Sequence, residues 1–576
     1  MTEPRPYRFP VGQLLRLLTS APCALFLGAV AAHSEGVPTS ANLTPHFERA
    51  GARQVLFVEG RPHVILAAEL PWWDIVWGRQ DQTIHAYDQL YPAARTMELN
   101  ALKVPIKWSQ VEPQPGKFDF SYVDHAKGLA EKHGLKLVLC WFGHHASSDG
   151  TIYYNLAGDV FAPMDVIQDD KTYPRAVDAD GRAHHNAASY EHDAIIDREI
   201  AAFRAFMEHI KRTDATTRTI LMVQVENEIA VFGWDRRNRK LWRDHSPEAN
   251  RAFAEHGFDD DLRYSAWRLS TRWIKPLTDA GAQVYPLPLY LNYADGKLAD
   301  WMVGGSPGED VATCLDVCPA VAFVGLNLYL PGDATLDDFR AKLTPYRVGR
   351  NIVATTETNS DATPVAPRLA YVAIGEYGAP LFAPWALTVS APTLSQPYVQ
   401  EDGRLGYGAS ALQDCYRSLS MALPEIATFA STEKLKVFMS HAPGEAFTQI
   451  EDVGGAKVEV KGWNNGQAIV ISPAPNEFIV VGYRCEASIH GPQFEWPALQ
   501  GVKVERGRSE GGKWVGKGEP YFGIDQSEKK LNLYLDPPQA IRVTCDDYLR
   551  TSVGRELAIP LFGGGSLSVA ALRRQV

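Results

Sequence analysis

Two short stretches hold the residues best suited to do chemistry. "LMVQVENEIA" (221–230) turns from an apolar, β-branched run into Glu226, Asn227 and Glu228. "NIVATTETNSDA" (351–362) sets Glu357 behind two threonines at the end of another apolar run. A carboxyl at the mouth of a buried strand is costly to desolvate. Alone, it is more often a salt-bridge or solvated residue. Two of them at separate strand ends, one beside an amide, fit the cleavage of a glycosidic bond. That reaction needs a proton for the leaving oxygen and an anion, or an activated water, at the anomeric carbon. On this reading Glu357 is the nucleophile. Glu228 protonates the departing oxygen and later deprotonates water, with the two carboxyls about 5–5.5 Å apart as retention of configuration requires. Asn227 offers its amide to the sugar 2-hydroxyl. Tyr329 would hydrogen-bond Glu357 and keep it ionised. Glu226 is a second candidate, because alternate residues of a regular strand share a side.

Residues so far apart in sequence need a scaffold that brings strand ends together. From about residue 50 to 390, short apolar runs alternate with longer amphipathic stretches. The runs are 63–70, 101–108, 135–143, 219–228, 283–292, 320–329, 351–358 and 369–378, and continuous apolar runs are the mark of parallel strands buried on both faces. Between them, "DHAKGLAEKHG" (124–134) and "DREIAAFRAFMEHIKR" (197–212) carry helical periodicity, and Gly134 falls where a helix should stop. Eight such units predict a (β/α)8 TIM barrel, whose chemistry sits at the C-terminal ends of its strands. Glu69, Trp108, Trp141, Glu228, Asn292, Tyr329 and Glu357 all fall at those ends. Pro286 and Pro288 interrupt the fifth run. After about residue 430 the texture changes to short β-type runs such as "KVEVKGW" and "EFIVVGY", separated by turn residues. The expected organisation is an export signal over residues 1–35, a catalytic barrel over 36–425 and an all-β, sandwich-like domain over 426–576.

The Asn227–Glu228 pair ending a fourth strand, with Glu357 ending a seventh, resembles clan A glycoside hydrolases. The stretch "KVPIKWSQVEPQPGKFDFSYVD" (103–124) is similar to the W-x-x-x-E-P-x-x-G-x-F-D-F element of family 35 and family 42 β-galactosidases, with Trp108, Glu112, Pro113, Gly116, Phe118 and Phe120 in place. "FAPMDVIQDDKTYPRAVDADG" (161–181) resembles a segment of bacterial family 35-like enzymes that carry an extra C-terminal β-domain. The resemblance implies a retaining exo-β-glycosidase, β-galactosidase-like, hydrolysing terminal β-linked sugars of oligosaccharides. It also implies a structural or rim role for Glu112. The sequence departs from the family pattern at "AAELPWWD" (67–74), where Trp72 and Trp73 follow Glu69, and at "WFGHHASSDG" (141–150). Both lie where the terminal sugar's hydroxyls would be read. Other clan A activities (β-glucosidase, mannosidase, endo-glycanase) therefore stay open, as does a non-catalytic carbohydrate-binding barrel.

Composition narrows the remaining classes. A formal charge of −11 over 576 residues, with Lys and Arg scattered, excludes a nucleic-acid partner of the usual basic kind. Arg5, Arg8 and Arg16 precede "APCALFLGAVAA" and small residues, the pattern of a signal peptide, which predicts a periplasmic or secreted protein. No later stretch is long and apolar enough to span a membrane. Six cysteines outside the signal form neither a disulfide framework nor a metal-ligand spacing; Cys314 and Cys318 are spaced for pairing but are read as structural. The paired histidines 144–145 and 184–185 lack a helical ligand spacing, so neither metal nor cofactor is expected. A G-x-S-x-G elbow is missing. Trp72, Trp73, Trp141, Trp301 and Trp385 are candidate stacking platforms, Trp141 and Trp385 foremost. Glu69, Trp108, Trp141, Asn227, Asn292, Tyr329 and Trp385 are the expected substrate-binding residues; the partner is an oligosaccharide or glycoside, and a homo-oligomer is compatible with the sequence.

Overall fold

The computed structural model describes residues 43–71, 87–143, 161–232, 242–295, 310–388 and 397–545, apart from positions 52, 361, 401, 496 and 497. All the described residues belong to the unit 40–576. The expected signal segment, Trp72, Trp73, Trp301, His144, His145 and the side chain of His185 lie outside the described residues. No described helix is long and apolar enough to cross a membrane.

The core of the second unit is an eight-stranded parallel barrel. Its strands are Ile65–Leu66, Ala101–Lys107, Lys136–Phe142, Ile220–Val225, Leu289–Ala294, Val321–Leu328, Thr355–Thr358 and Leu381–Phe382. Each pairs with the next in parallel, and the eighth pairs with the first. The ring closes between strands one and two: Lys103 N donates to Ala68 O (3.0 Å), and Leu70 N donates to Lys103 O (2.9 Å). Strand residues are buried almost throughout, which is why they read as unbroken apolar runs.

A helix follows every strand: Leu90–Thr96, Ser121–His133, Asp193–Asp214, Asp261–Leu269 continuing to Val284, Val311–Val317, Leu336–Leu343, Val365–Tyr371 and Ala409–Ser420. The third buries Ile195, Ile196, Glu199, Ala202, Phe203, Phe206, Met207 and Ile210 on one stripe. Gly134 ends the second in a left-handed conformation (φ 65°), as its position in the sequence suggested.

Two of the expected strands are corrected. The run 369–378 is not the eighth strand. It is a helix, Val365–Tyr371, running into a π-helical turn, Val372–Glu376, and the strand follows at Leu381–Phe382. Every residue of Val365–Tyr371 is buried, so this helix is buried on all sides and carries no amphipathic stripe to tell it from a strand. The fifth strand begins at Leu289, because residues 275–284 belong to a helix and Pro286 and Pro288 form the connection.

Beyond residue 434 the chain forms one nine-stranded antiparallel sheet. Its two long strands, Ala456–Ile471 and Glu477–His490, each pair with different partners along their two halves. The register breaks between Gly462 and Gln467, where Asn464 and Asn465 have positive φ. Side chains from both halves share one apolar core (Val458, Val470, Ile489, Leu533, Ile541), so the sheet is bent upon itself. The face toward the barrel joins the main core through Leu435, Ile469, Ile479 and Tyr483.

Candidate active site

The fourth strand stops at Val225, and the residues after it are no longer extended. Glu226 (φ 64°) and Glu228 (φ 46°) both adopt left-handed backbone, uncommon for residues with a side chain. This breaks the alternation that would have put the two carboxyls on one side. Glu226 instead accepts the Gly143 N–H beyond strand three, 3.1 Å from each of its oxygens. Glu228 faces strand six, where Asn327 Nδ2 donates to its Oε1 at 2.9 Å. Its own backbone N–H donates to Asn292 Oδ1 on strand five at 2.8 Å.

Asn292 ties the floor of the site together. Its Nδ2 lies 2.7 Å from Asn227 Oδ1, 3.2 Å from Asn327 Oδ1 and 3.2 Å from Glu357 Oε1. Thr356 Oγ1 donates to Asn327 Oδ1 at 2.8 Å and fixes that amide in turn. Two side-chain amides thus link the carboxyl ending strand four to the carboxyl ending strand seven. Asn292 and Asn327 are fully buried and act on the carboxylates, not on a ligand in the mouth. Asn227 Oδ1 is occupied by Gln224 Nε2 (3.1 Å) and by Asn292, which leaves its Nδ2 as the group to offer a ligand.

Glu357 is 5% exposed and Glu228 is 3% exposed. Tyr329 OH donates to Glu357 Oε2 at 2.9 Å, the contact expected from its place at the end of strand six. Lys103 Nζ approaches Glu357 Oε1 at 3.4 Å and Glu69 Oε2 at 2.5 Å, with Lys103 and Glu69 both completely buried. Burial, with Glu357 as the next cause, pushes the Glu228 carboxyl up to about 8. Burial also pushes Glu69 up to about 8, against the pull of Lys103 and with a further push from Glu357. Burial works against the Lys103 ammonium, yet Glu69 and Glu357 outweigh it and hold Lys103 well above its ordinary value. Burial and the Glu357 charge raise Tyr329, so it stays a donor. A carboxyl that keeps its proton thus stands beside one that accepts hydrogen bonds from an amide, a phenol and an ammonium. Such a pair can deliver a proton on one side of a bond and a nucleophile on the other.

The remaining expected site residues divide. Trp385 follows strand eight, half-buried, with its ring at 87° to that of Tyr329 and centroids 6.5 Å apart. These two rings frame the same side as Glu357. Trp108 and Trp141 are corrected: both are fully buried and offer no face to a sugar. Trp108 Nε1 donates to Glu112 Oε2 at 2.7 Å, and Glu112 Oε1 accepts the Gly116 N–H at 2.7 Å, the structural role implied for Glu112. Trp141 packs against Phe203 and Phe206 and donates to Glu199 Oε1 at 3.0 Å, while Trp273 donates to Glu199 Oε2 at 2.7 Å. Each indole is a large apolar body with one N–H to satisfy, and a buried carboxylate satisfies it. Glu69 is completely buried, with its Oε2 2.5 Å from Lys103 Nζ.

Sequence reasoning missed Lys103, Asn327 and Glu199. The signal was there: a lone polar residue inside an apolar run, as in "ALKVPIK" and "VGLNLY", must find a partner in the interior. Among the described residues there is no cluster of His, Cys, Asp and Glu able to hold a metal ion, and Cys140, Cys314, Cys318, Cys415 and Cys485 are free thiols. His184 is taken by Asp178, at 2.8 Å.

No family model matches the sequence, and no curated protein matches it. Among solved structures, the exo-β-1,4-mannosidase Op5Man5 from Opitutaceae bacterium strain TAV5 is similar at 15% identity, covering 64% of this chain and 61% of its own, with a TM-score of 0.41. A β-galactosidase from the psychrophilic Marinomonas ef1 is similar at 12% identity over 62% of this chain and 60% of its own, TM-score 0.44. The catalytic domain of a β-amylase from Paenibacillus polymyxa is similar at 10% identity over 60% of this chain and 96% of its own, TM-score 0.45. The chain thus spans about 60% of the length of the first two and nearly all of the third.

Proposed function

We propose that the chain is a retaining exo-β-glycosidase, β-galactosidase-like, that removes terminal β-linked sugars from oligosaccharides by double displacement. The observation that carries this reading is the Glu228–Glu357 pair itself: two buried carboxyls bridged by Asn292 and Asn327, with Glu228 pushed up by burial and Glu357 accepting hydrogen bonds from Asn292 and Tyr329. Glu357 attacks the anomeric carbon, and the bond to the leaving oxygen breaks as Glu228 gives it a proton. The glycosyl group is then held as an ester of Glu357. Glu228, now a carboxylate, takes a proton from water, and the water oxygen displaces Glu357. Asn227 Nδ2 binds the 2-hydroxyl, and Trp385 with Tyr329 forms the aromatic wall of the sugar subsite.

The test is a panel of 4-nitrophenyl glycosides covering galactose, glucose, mannose, fucose, arabinose and xylose. Wild-type protein is expected to release nitrophenol from the β-galactoside. Glu357→Gln should lower turnover by roughly 10³-fold or more while the protein stays folded. Glu228→Gln should lower it less on an activated nitrophenyl aglycone than on a natural disaccharide, because a good leaving group needs little protonation. Cleavage of another sugar would move the specificity within the same mechanism. An inert panel, or full activity in Glu357→Gln, would sink the proposal.

A further inference from the structure

We propose that Lys103, braced by Glu69, is the positioning residue of Glu357, a charge placed under the nucleophile and not merely a buried ion pair. The inference rests on the glycosidase reading above. It starts from an oddity of strand two: a lysine in the middle of "ALKVPIK", completely buried, with its backbone in the ladder to Val138. A buried ammonium is tolerated only where carboxyl oxygens lie against it. Lys103 has two, Glu69 Oε2 at 2.5 Å and Glu357 Oε1 at 3.4 Å, and it also lies 3.4 Å from the Thr356 carbonyl at the residue before Glu357.

The two contacts are unequal in kind. Glu69 is locked by the barrel seam: its N–H donates to Pro384 O, and its carbonyl accepts from Leu387 N. Its backbone is thus fixed, and its carboxyl takes the close contact. Glu357 takes the longer one, with Asn292 on the same oxygen and Tyr329 on the other. A cation held by one close partner can bias a second carboxylate without being neutralised by it. The need for bias is plain, because Glu228 and Glu357 share a dry site linked by Asn292 and Asn327. The titratable groups facing Lys103 are Glu69 from strand one, Cys140 from strand three, Tyr290 from strand five and Glu357 from strand seven. Glu228 and Tyr329 face Glu357 from strands four and six. Lys103 is the single cation among these groups.

Three variants separate this role from a structural one. Lys103→Met removes the cation. The double variant Lys103→Met/Glu69→Gln removes the cation together with the acid it would strand. Lys103→Arg keeps the charge. The readout is the pH profile of kcat/KM on whichever nitrophenyl glycoside the wild-type protein cleaves, with circular dichroism to check folding. The acidic limb of that profile is expected to move to higher pH by at least one unit in both Met variants. In both, kcat should fall at least tenfold, and Lys103→Arg should recover part of the loss. If the double variant regains the wild-type limb and rate, Lys103 serves only to neutralise Glu69 and the proposal fails. If Lys103→Met alone does not fold, the double variant decides. If Glu357→Gln keeps wild-type turnover, the glycosidase reading fails first; if it is dead while both Met variants keep the wild-type limb, only the role of Lys103 falls.

Discussion

A carboxyl that must give up a proton near neutral pH has to be prevented from ionising in the resting protein, and Glu228 is prevented by burial and by the charge of Glu357. On the proposed mechanism the protonated form is the competent acid, so kcat/KM is expected to fall as pH rises through about 8, to which burial pushes this carboxyl. Steady-state kinetics between pH 5 and 10 checks this, and a limb set by the substrate alone would persist in Glu228→Gln. The same residue has a stability signature. A carboxyl raised from 4.5 to about 8 on folding makes the native state the stronger proton binder. Stability therefore declines as pH climbs from the unfolded value to the folded one, and the decline is complete above about 8. Glu228→Gln should remove that decline, so the variant melts higher than wild type at pH 8.5, by an amount of order a few °C, and no higher at pH 4. Differential scanning calorimetry at the two pH values decides it. Tyr329→Phe is expected to cost activity by lowering kcat more than it changes KM, since its hydroxyl acts through Glu357.

At the scale of elements, the end of the fourth strand determines which acid can act. Left-handed backbone at Glu226 and Glu228 sends the first toward Gly143 and the second toward Asn327. Gly143 has to be glycine for this: a Cβ there would lie 2.0 Å from Glu199 Oε1 and 2.3 Å from Glu226 Oε1. Gly143→Ala is expected to destabilise the protein by about 1–3 kcal/mol, as overpacking does, and urea titration measures it. Much of this architecture was legible in the sequence. Seven barrel strands could be placed from apolar runs because burial on both faces leaves a run with no period. The same rule failed at 369–378, where a helix buried on every side leaves the same trace. Glu228, Glu357, Asn227, Asn292 and Tyr329 could be found because polar residues at strand ends stand out. Trp108 and Trp141 misled because an indole suits a sugar platform and a packed core equally well. Lys103 stayed hidden because mid-strand position, not type, gives it its partners.

At the scale of the whole molecule, the barrel and the C-terminal sheet are not separate cores. The helix Val365–Tyr371 lies between them, with Tyr371 against Tyr483 at 6.1 Å between ring centroids. Arg368 carries its charge inside this contact and donates to the carbonyls of Ala334, Ser440 and His441 at 2.7–2.9 Å. Calorimetry is expected to show one cooperative transition for residues 40–545, and ending the chain before residue 434 should expose this helix and give insoluble protein. Two well-separated transitions would contradict a shared core. The geometry at Glu228 also reaches beyond any single assay. A carboxyl there sits in dry surroundings on a backbone better suited to glycine, so replacement by glycine would relieve both the burial and the left-handed backbone. A laboratory screen that rewards only heat resistance would therefore drift toward inert proteins, and Glu228 would be among the first positions to go.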